Sequence, residues 1–274
     1  MAIGYILILL GTGVVSGFFA GLLGIGGGFL MTPVQYAVYT MMGLPTDEAV
    51  RLAFGTTLLV ILPTAISGAW AHSKKGAVWW RAAIFMGCFS MVGSFIGATV
   101  SVHIPGSYLK IAFGVLNLAA SARMFTGELP APGQEPRYNP WLWIACAFPI
   151  GLLTGILGIG GGVIVVPILI MVLRFTMHSA AATSLGMMIF TSIGGSIGYI
   201  INGIGVSGMP AWSIGYINLP AWGLLTVSSI LLARVGAIVA HKTPASYLKY
   251  IFAVLLLYVG LRMVGVFEWL GLPL

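Results

Sequence analysis

A glycine-rich stretch that occurs twice is the part of the sequence best suited to chemistry. The copies are residues 17–33, GFFAGLLGIGGGFLMTP, and residues 151–167, GLLTGILGIGGGVIVVP, identical at nine of 17 positions. Each Gly costs about 1 kcal/mol relative to Ala inside a helix, so the GIGGG run of each copy is expected to break its helix. A broken helix has free N–H groups and a positive end of roughly +0.5 charge, which glycines let an oxyanion approach closely. Two such ends meeting would form a small-anion site.

The two breaks and the polar residues near them are the predicted substrate-binding site. Gln35 follows the first break by seven residues, and Thr56-Thr57 aligns with Thr183-Ser184 at an offset of 127 residues. Their hydroxyl groups could donate to an anion; the alternative is a bond back to the carbonyl four residues earlier. The complete predicted set is Gly24, Gly26, Gly27, Gly28, Gln35, Thr56, Thr57, Gly158, Gly160, Gly161, Gly162, Thr183 and Ser184.

Four further glycines precede the breaks. Gly17-x-x-x-Gly21 recurs as Gly151-x-x-x-Gly155. This spacing is typical of close helix packing, so we expect a structural role for these four positions. The GIGGG run is not a dinucleotide fingerprint, because Phe29 stands where the last glycine of that motif would be.

The composition places the chain in a membrane. Hydrophobic residues make up 59% of the 274 residues and charged residues 6%, whereas a soluble domain carries about 25% charged residues. The net charge of +7 comes from basic residues scattered between apolar runs, a pattern that loops obeying the positive-inside rule produce and that does not suggest nucleic acid. The first apolar run lacks a basic n-region and a small-residue cleavage site, so we read it as a retained membrane helix.

The acidic residues exclude one class of transporter. All five fall in predicted loops or at helix ends: Asp47, Glu48, Glu128, Glu135 and Glu268. Cation pumps and proton relays usually need a carboxylate within the membrane. Its absence from the predicted spans argues against a cation transporter and against a carboxylate-based proton shuttle.

Histidines and cysteines predict no metal, cofactor or enzymatic chemistry. The four histidines show no metal spacing and are expected at the membrane interface: His72, His103, His178 and His241. Cys88 and Cys146 lie in different apolar segments, where small buried hydrophobes are expected and a redox pair is the alternative.

The elements that position these groups are predicted as ten apolar segments in an all-α integral membrane protein. A first repeat (residues 1–126) and a second repeat (141–274) flank a polar linker (127–140), with Thr46 or Asp47 expected to cap the third helix. The predicted segments are 3–23, 29–42, 49–71, 82–102, 107–125, 141–157, 163–175, 179–201, 219–240 and 246–266, with a Gly-rich loop from 202 to 212. An offset of 139 residues also aligns residues 105–110 with 244–249.

Charge placement favours two inverted five-segment repeats, with the broken helices at the midplane. Five crossings per half put nine basic residues on the cytoplasmic side (Lys74, Lys75, Arg81, Arg123, Arg137, Arg174, Arg234, Lys242 and Lys249) and three outside (Arg51, Lys110 and Arg262). The repeat-equivalent Lys110 and Lys249 then fall on opposite sides. The short segments after the glycines could be re-entrant without changing this parity.

The twin glycine motifs, each ending in Pro, resemble the TauE/SafE sulfite exporter family of membrane permeases, also called TSUP or DUF81. The resemblance covers nearly the whole chain, including the central linker and the Ala-Thr-Ser-Leu segment at residues 182–185. It implies transport of small sulfur oxyanions and organosulfonates such as sulfite, thiosulfate and sulfoacetate. Residues 53–57, Ala-Phe-Gly-Thr-Thr, depart from the pattern of the second half, which weakens the argument for Thr56.

Together these observations predict a secondary transporter of small sulfur-containing anions that works by alternating access across the cell inner membrane. Its partners would be the anion, the lipid bilayer and, as a candidate coupling ion, the proton; the oligomeric state is left open. An anion channel, a transporter of another small organic anion and a membrane-embedded redox protein that uses Cys88 or Cys146 are the alternatives.

Overall fold

The computed structural model describes residues 3–127 and 139–266. These residues form ten helices and one short hairpin. The helices are α1 (Ile3–Leu23), α2 (Gly28–Met41), α3 (Thr46–Ser73), α4 (Trp80–Ser101), α5 (Gly106–Thr126), α6 (Pro140–Leu157), α7 (Gly162–Met171), α8 (Met177–Gly203), α9 (Leu219–Ala240) and α10 (Ala245–Val264); the strands are β1 (Ser213–Ile214) and β2 (Ile217–Asn218). Most of the predicted linker lies outside the described residues.

Seven of these helices are long and apolar enough to cross a membrane: α1, α3, α4, α6, α8, α9 and α10. The 14 residues of α2 and the 10 residues of α7 extend about 21 and 15 Å, less than the roughly 30 Å of a hydrocarbon core. Helix α5 has 21 residues but is not among the seven. All ten predicted segments are therefore helical, although the structure supports seven full spans and not ten. The chain is a multi-pass, all-helical membrane protein.

Two local predictions were wrong, and one element was not predicted. Neither Thr46 nor Asp47 caps α3: Pro45 holds that position without a side-chain bond, and the Asp47 carboxylate instead accepts from the backbone N–H of Gly106 at 2.7 Å. Helix α7 ends at Met171, four residues early, before Arg174 takes a positive φ of 60°. The predicted Gly-rich loop is followed by a hairpin at 213–218, which no alternation of polar and apolar residues announced.

The four glycines that precede the breaks pack helices closely, as predicted. A Cβ built at Gly17 would lie 2.5 Å from Cα of Ser229 on α9, and one built at Gly151 would lie 2.6 Å from Cα of Ser90 on α4. Gly21 and Gly155 meet the same two helices one turn later. Helix α1 therefore packs on α9, and α6 packs on α4. Each glycine-broken helix rests against the other half of the chain.

Hydrogen bonds between helices recur at repeat-equivalent positions. Thr64 on α3 pairs with Ser229 on α9 at 2.7 Å, and Thr191 on α8 pairs with Ser90 on α4 at 2.6 Å. Each pair is buried. Because both contacts use the same side-chain chemistry at the offsets of the two repeats, the duplication seen in the sequence is also present in the packing.

The helix termini define two ends of the molecule. At one, which we call the His72 end, α3 and α9 terminate where α8 begins: His72 contacts His241, and His178 reaches the carbonyl of Ala240. At the other, the Asp47 end, α3 and α5 begin together, joined by Asp47 and the N–H of Gly106. The paired helices α3 and α8 thus run in opposite directions.

Candidate functional site

The two glycine breaks meet inside the protein. A Cβ built at Gly28 would lie 2.5 Å from the carbonyl oxygen of Ile159, and one built at Gly162 would overlap the Cα of Ile25. Both breaks are buried along their whole length. Two segments 134 residues apart therefore touch through bare backbone, as the interpretation of the repeated motif required.

Left-handed backbone at matching positions makes each break. Gly24, Gly26 and Gly27 all have positive φ, and so do their equivalents in the second break. At Gly27, with φ of 80°, the chain turns into α2, and at Gly161, with φ of 93°, it turns into α7. L-residues rarely adopt this conformation, so glycine is required at both helix starts.

The breaks have unpaired backbone N–H groups, whereas hydroxyl groups bond to one carbonyl of each break. Within the described residues, the backbone N–H groups of residues 26–28 and 160–162 donate to no acceptor. The carbonyl of Gly24 accepts from the Ser184 hydroxyl at 2.5 Å, and that of Gly158 accepts from Thr32 at 3.4 Å. Hydroxyl groups thus cap the carbonyl side of each break and leave the donor side open.

Electrostatics at this point favour negative charge. Helices α2 and α7 both begin at the contact between the breaks, and each start carries roughly +0.5 charge. Like-signed helix ends at contact distance repel each other, and an anion between them would relieve this repulsion. A buried hydroxyl adds a further donor: Thr154 Oγ1 has no partner within the described residues and lies 2.9 Å from where a Cβ of Gly161 would be.

Two apolar side chains cover the breaks. Ile61 on α3 and Met188 on α8 are repeat-equivalent and both are fully buried. A Cβ built at Gly26 would lie 2.8 Å from the sulfur of Met188 and 3.1 Å from Cγ2 of Ile61. The Ile61 side chain also lies against Gly160 of the second break. The sequence analysis missed both residues. Their positions, four residues after Thr57 and Ser184, put them on the same helix faces and could have identified them.

Gln35 and Thr57 lie together in a buried polar cluster. The Gln35 amide donates to Thr57 Oγ1 at 2.7 Å, and the Tyr39 hydroxyl donates to Gln35 Oε1 at 3.2 Å. Thr32 is 3.2 Å from Thr57 and also within reach of the Gly158 carbonyl. Thr32 has one hydroxyl proton, so when it donates to the Gly158 carbonyl, Thr57 Oγ1 accepts from Gln35 alone and can donate its own proton. Thr32 and Tyr39 were not predicted, although each lies on the same face of α2 as Gln35.

Thr56 and Thr183 have a different role from their neighbours. Thr56 Oγ1 accepts from the N–H of Asn218 at 2.9 Å, and Thr183 Oγ1 accepts from the N–H of Trp79 at 3.1 Å. Asn218 and Trp79 immediately precede α9 and α4. The two threonines therefore anchor helix starts and do not reach the breaks through any hydrogen bond that the structure shows. Ser184 does reach a break, and it also bonds back to Ala181.

Two clefts lead toward these anchors. One, of about 800 Å³, lies between α1, α9 and the segment before β1 and includes Asn218; the other, of about 540 Å³, lies between α4 and α6 and includes Trp79. The first lies at the Asp47 end and the second at the His72 end. Asn218 in the first cleft bonds to Thr56, the neighbour of Thr57. Trp79 in the second cleft bonds to Thr183, the neighbour of Ser184.

Comparison with known proteins identifies the family. The family model described as sulfite exporter TauE/SafE matches residues 9–263. The chain belongs to the TauE/SafE family. A probable membrane transporter protein of Methanocaldococcus jannaschii is 31% identical over 93% of this chain and 94% of its own length. Similar proteins include a probable membrane transporter protein of Haemophilus influenzae, 29% identical over 94% and 98%, and YunE of Bacillus subtilis, 27% identical over 95% and 98%.

No solved structure matches the chain. Family and relatives alike are named as transporters and not as enzymes. The protein is accordingly a TauE/SafE-family membrane transporter, and the two breaks are the point at which its two halves meet.

Proposed function

We propose that this TauE/SafE protein is a secondary transporter of small sulfur-containing anions, such as sulfite, thiosulfate or organosulfonates, that works by alternating access in the cytoplasmic membrane. The observation that carries the proposal is the meeting of two buried helix starts with unpaired N–H groups and capped carbonyls. A tetrahedral or pyramidal oxyanion presents several oxygens at once and suits such converging donors.

The proposed site selects against cations. Within the described residues, the only carboxylates are Asp47 and Glu48, at the start of α3, far along the helix from Thr57. Basic side chains are also absent from the hydrogen bonds of the two breaks that the structure shows. Backbone dipoles and neutral donors would bind an anion and still release it, because no full opposite charge holds it.

The proposed binding residues divide by function. The glycines of both breaks supply N–H groups, Thr57 supplies a hydroxyl group and Gln35 orients it. Ser184 caps the Gly24 carbonyl and so keeps the donor side of the break turned to the anion. Thr56 and Thr183 act through the helix starts that they hold. Ile61 and Met188 cover the anion, so their displacement would accompany its entry and exit.

The proposed architecture is two inverted halves, residues 1–126 and 141–274, of five segments each. Its support is the pattern of contacts at the two ends. Lys110 lies over the Tyr36 ring, near the Asp47 end, whereas the repeat-equivalent Lys249 donates to the carbonyl of Gly127, at the end of α5. The two clefts at opposite ends then become the two mouths, each closed in turn as the halves rock about the breaks.

Transport by purified protein in proteoliposomes tests the proposal. Sulfite, thiosulfate, sulfoacetate, taurine and acetate are added singly, with current and internal pH recorded. We expect a response to the sulfur anions and not to acetate, lost in Thr57→Val and kept in Thr40→Val, an exposed threonine that bonds only to Tyr36. Equal responses to acetate, or full activity of Thr57→Val, would contradict the proposal. Discrete single-channel openings would identify a channel.

A further inference from the structure

Three of the four histidines lie together at the His72 end. His72 Nδ1 is 3.0 Å from His241 Nε2, and the rings of His178 and His241 stack with centroids 5.8 Å apart and planes 19° from parallel. The sequence predicted interfacial histidines without metal spacing, and residues this far apart in the chain carry no signal that they would meet. No group of three His, Cys, Asp or Glu within residues 3–127 and 139–266 could hold a metal ion.

Hydrogen bonds to carbonyl groups fix where the protons lie. His72 Nε2 is 2.8 Å from the Gly21 carbonyl, which can only accept, so this nitrogen carries hydrogen and Nδ1 is the acceptor. His241 Nε2–H therefore donates to His72 Nδ1. His178 Nε2 likewise donates to the carbonyls of Ala240 and Thr243, at 3.0 and 3.1 Å. His241 Nδ1 is then the nitrogen of the His72–His241 pair that can accept a proton without breaking a bond.

One extra proton fits this pair and a second does not. A proton that adds to Nδ1 of half-buried His241 makes an imidazolium, which can pass its Nε2 proton along the existing hydrogen bond to Nδ1 of fully buried His72. His241 is then neutral again, with its proton on Nδ1, and His72 carries the charge. A second proton would place two cations about 3 Å apart, with His178 stacked beside them.

The charges around the pair oppose the proton while no anion is present. Burial, together with His178 and Lys75, lowers the pKa of His241. All other charged groups described near this end are basic: Lys74, Arg81, Arg123, Arg174, Arg234, Lys242 and Lys249. The described acids, Asp47 and Glu48, begin α3 at the opposite end. A negative charge nearby would therefore strengthen proton binding at the pair.

The proposed anion site is connected to His72 through α1. His72 bonds to Gly21, three residues before the first glycine of the break, and Gly24 is bonded in turn by Ser184 on α8. Helix α1 therefore accepts from His72 and leads into the break, and α8 contacts the same break through Ser184. An anion between the breaks would stabilise an imidazolium at His72, and the imidazolium would stabilise the anion; this coupling must be reciprocal.

The opposite end cannot do this. The repeat-equivalents of His72, His178 and His241 are Tyr199, Arg51 and Val102. Tyr199 donates to the Gly155 carbonyl at 3.0 Å, and Arg51 donates to the Ile104 carbonyl at 3.3 Å, so the structural bonds are preserved. Arginine and tyrosine do not exchange protons between pH 5 and 8. Among these repeat-equivalent residues, proton exchange between pH 5 and 8 is thus confined to the His72 end.

We propose that His72 and His241 form a proton-binding site that takes up one proton with each anion. The anion half of this statement rests on the proposed function, whereas the proton site stands without it. Repulsion between the two rings limits the pair to a single charge, and half-buried His241 is the entry from solvent.

NMR of protein with ¹⁵N-labelled histidine in lipid nanodiscs tests the proton site, because only four residues give signals. Between pH 8 and 5 we expect His72 and His241 to change together, with one shared proton. In His241→Gln the His72 signal should lose this behaviour, whereas His103→Gln should leave the pair unchanged. Independent titration of His72 and His241, each indifferent to loss of the other, would overturn the proposal.

Addition of thiosulfate or sulfite to the same samples tests the coupling. We expect the midpoint of the pair to rise with anion, and anion affinity to increase about tenfold from pH 7.5 to 5.5 in wild type but not in His72→Gln or His241→Gln. Anion binding that leaves the midpoint unchanged would disprove the coupling. A shared proton without binding of either anion would retain the proton site and instead contradict the proposed cargo.

Discussion

The Cβ that Gly28 lacks would lie 2.5 Å from the carbonyl oxygen of Ile159. One half of the chain thus leaves space for the backbone of the other at the point where both helices break. Because the reverse relationship holds between Gly162 and Ile25, neither half can fill this position with a side chain. Both halves must therefore keep this contact free of side chains.

Alanine at Gly28 should therefore be poorly tolerated. The added methyl group meets backbone that cannot rotate away, so we expect a loss of about 1–3 kcal/mol in stability together with loss of transport. Gly11→Ala is the matched control, because nothing lies within 4 Å of a Cβ at that helical position; it should be neutral or slightly stabilising. Melting temperature in detergent and transport in proteoliposomes measure both. Equal melting temperatures for the two variants would rule out this steric account.

Gln35 and Thr57 should behave as a coupled pair. Thr57→Val removes the acceptor of the buried Gln35 amide, and an unpaired buried polar group costs about 1–3 kcal/mol. Adding Gln35→Met to the Thr57→Val variant removes this unpaired amide. The double variant should therefore lose less stability than the sum of the losses in the two single variants. A double-mutant cycle on thermal unfolding measures the coupling. Strict additivity would mean that this hydrogen bond contributes nothing.

The inverted arrangement predicts opposite accessibility for two equivalent serines. Ser107 begins α5 and Ser246 begins α10; both are exposed and align at the 139-residue offset. In a Cys88→Ala, Cys146→Ala background, a membrane-impermeant thiol reagent added to intact cells should label Ser107→Cys and not Ser246→Cys, with the reverse result in inverted vesicles. Labelling of both from the same side would refute the inversion.

We expect protonation of His241 to lower the stability of the folded protein as the pH decreases. The pKa of His241 is lowered in the folded protein, so the unfolded chain binds more protons at pH values around and below 6.5. Stability is therefore complete above this range and decreases as the pH falls through it. We expect the melting temperature to drop between pH 7.5 and 5.5, with a smaller drop in His241→Gln and an unchanged one in His103→Gln. An identical drop in all three proteins would show that other groups are responsible.

Sequence reasoning succeeded where one strong local signal controls the structure. The runs of apolar residues located all ten helices, and the bounds of α1 and α9 were predicted to the residue. The GIGGG runs located both breaks because few residues other than glycine adopt positive φ. Contact between the two breaks could also be expected, since the two motifs are identical from Leu23 to Gly28.

The features that could not be predicted from the sequence depend on contacts between distant segments. Thr56 and Thr57 are adjacent and chemically alike, yet one anchors the N–H of Asn218 and the other faces Gln35; a shift of about 100° around the helix separates them. The three histidines come together only because α3, α8 and α9 pack as they do. Neither arrangement leaves a periodic trace in a single chain.

The polar cluster of α2 has no counterpart in α7. Where the first half has Thr32, Gln35 and Tyr39, the second has Val166, Leu169 and Leu173 at the equivalent positions. In a carrier built from two identical halves, the inward-facing and outward-facing forms would have equal energy, and the empty protein would divide its time evenly between them. Unequal halves remove that balance. In the proposed alternating-access carrier, the hydrogen bonds that join α2 to Thr57 would favour one resting orientation of the empty protein, and hence one membrane face at which cargo binds first.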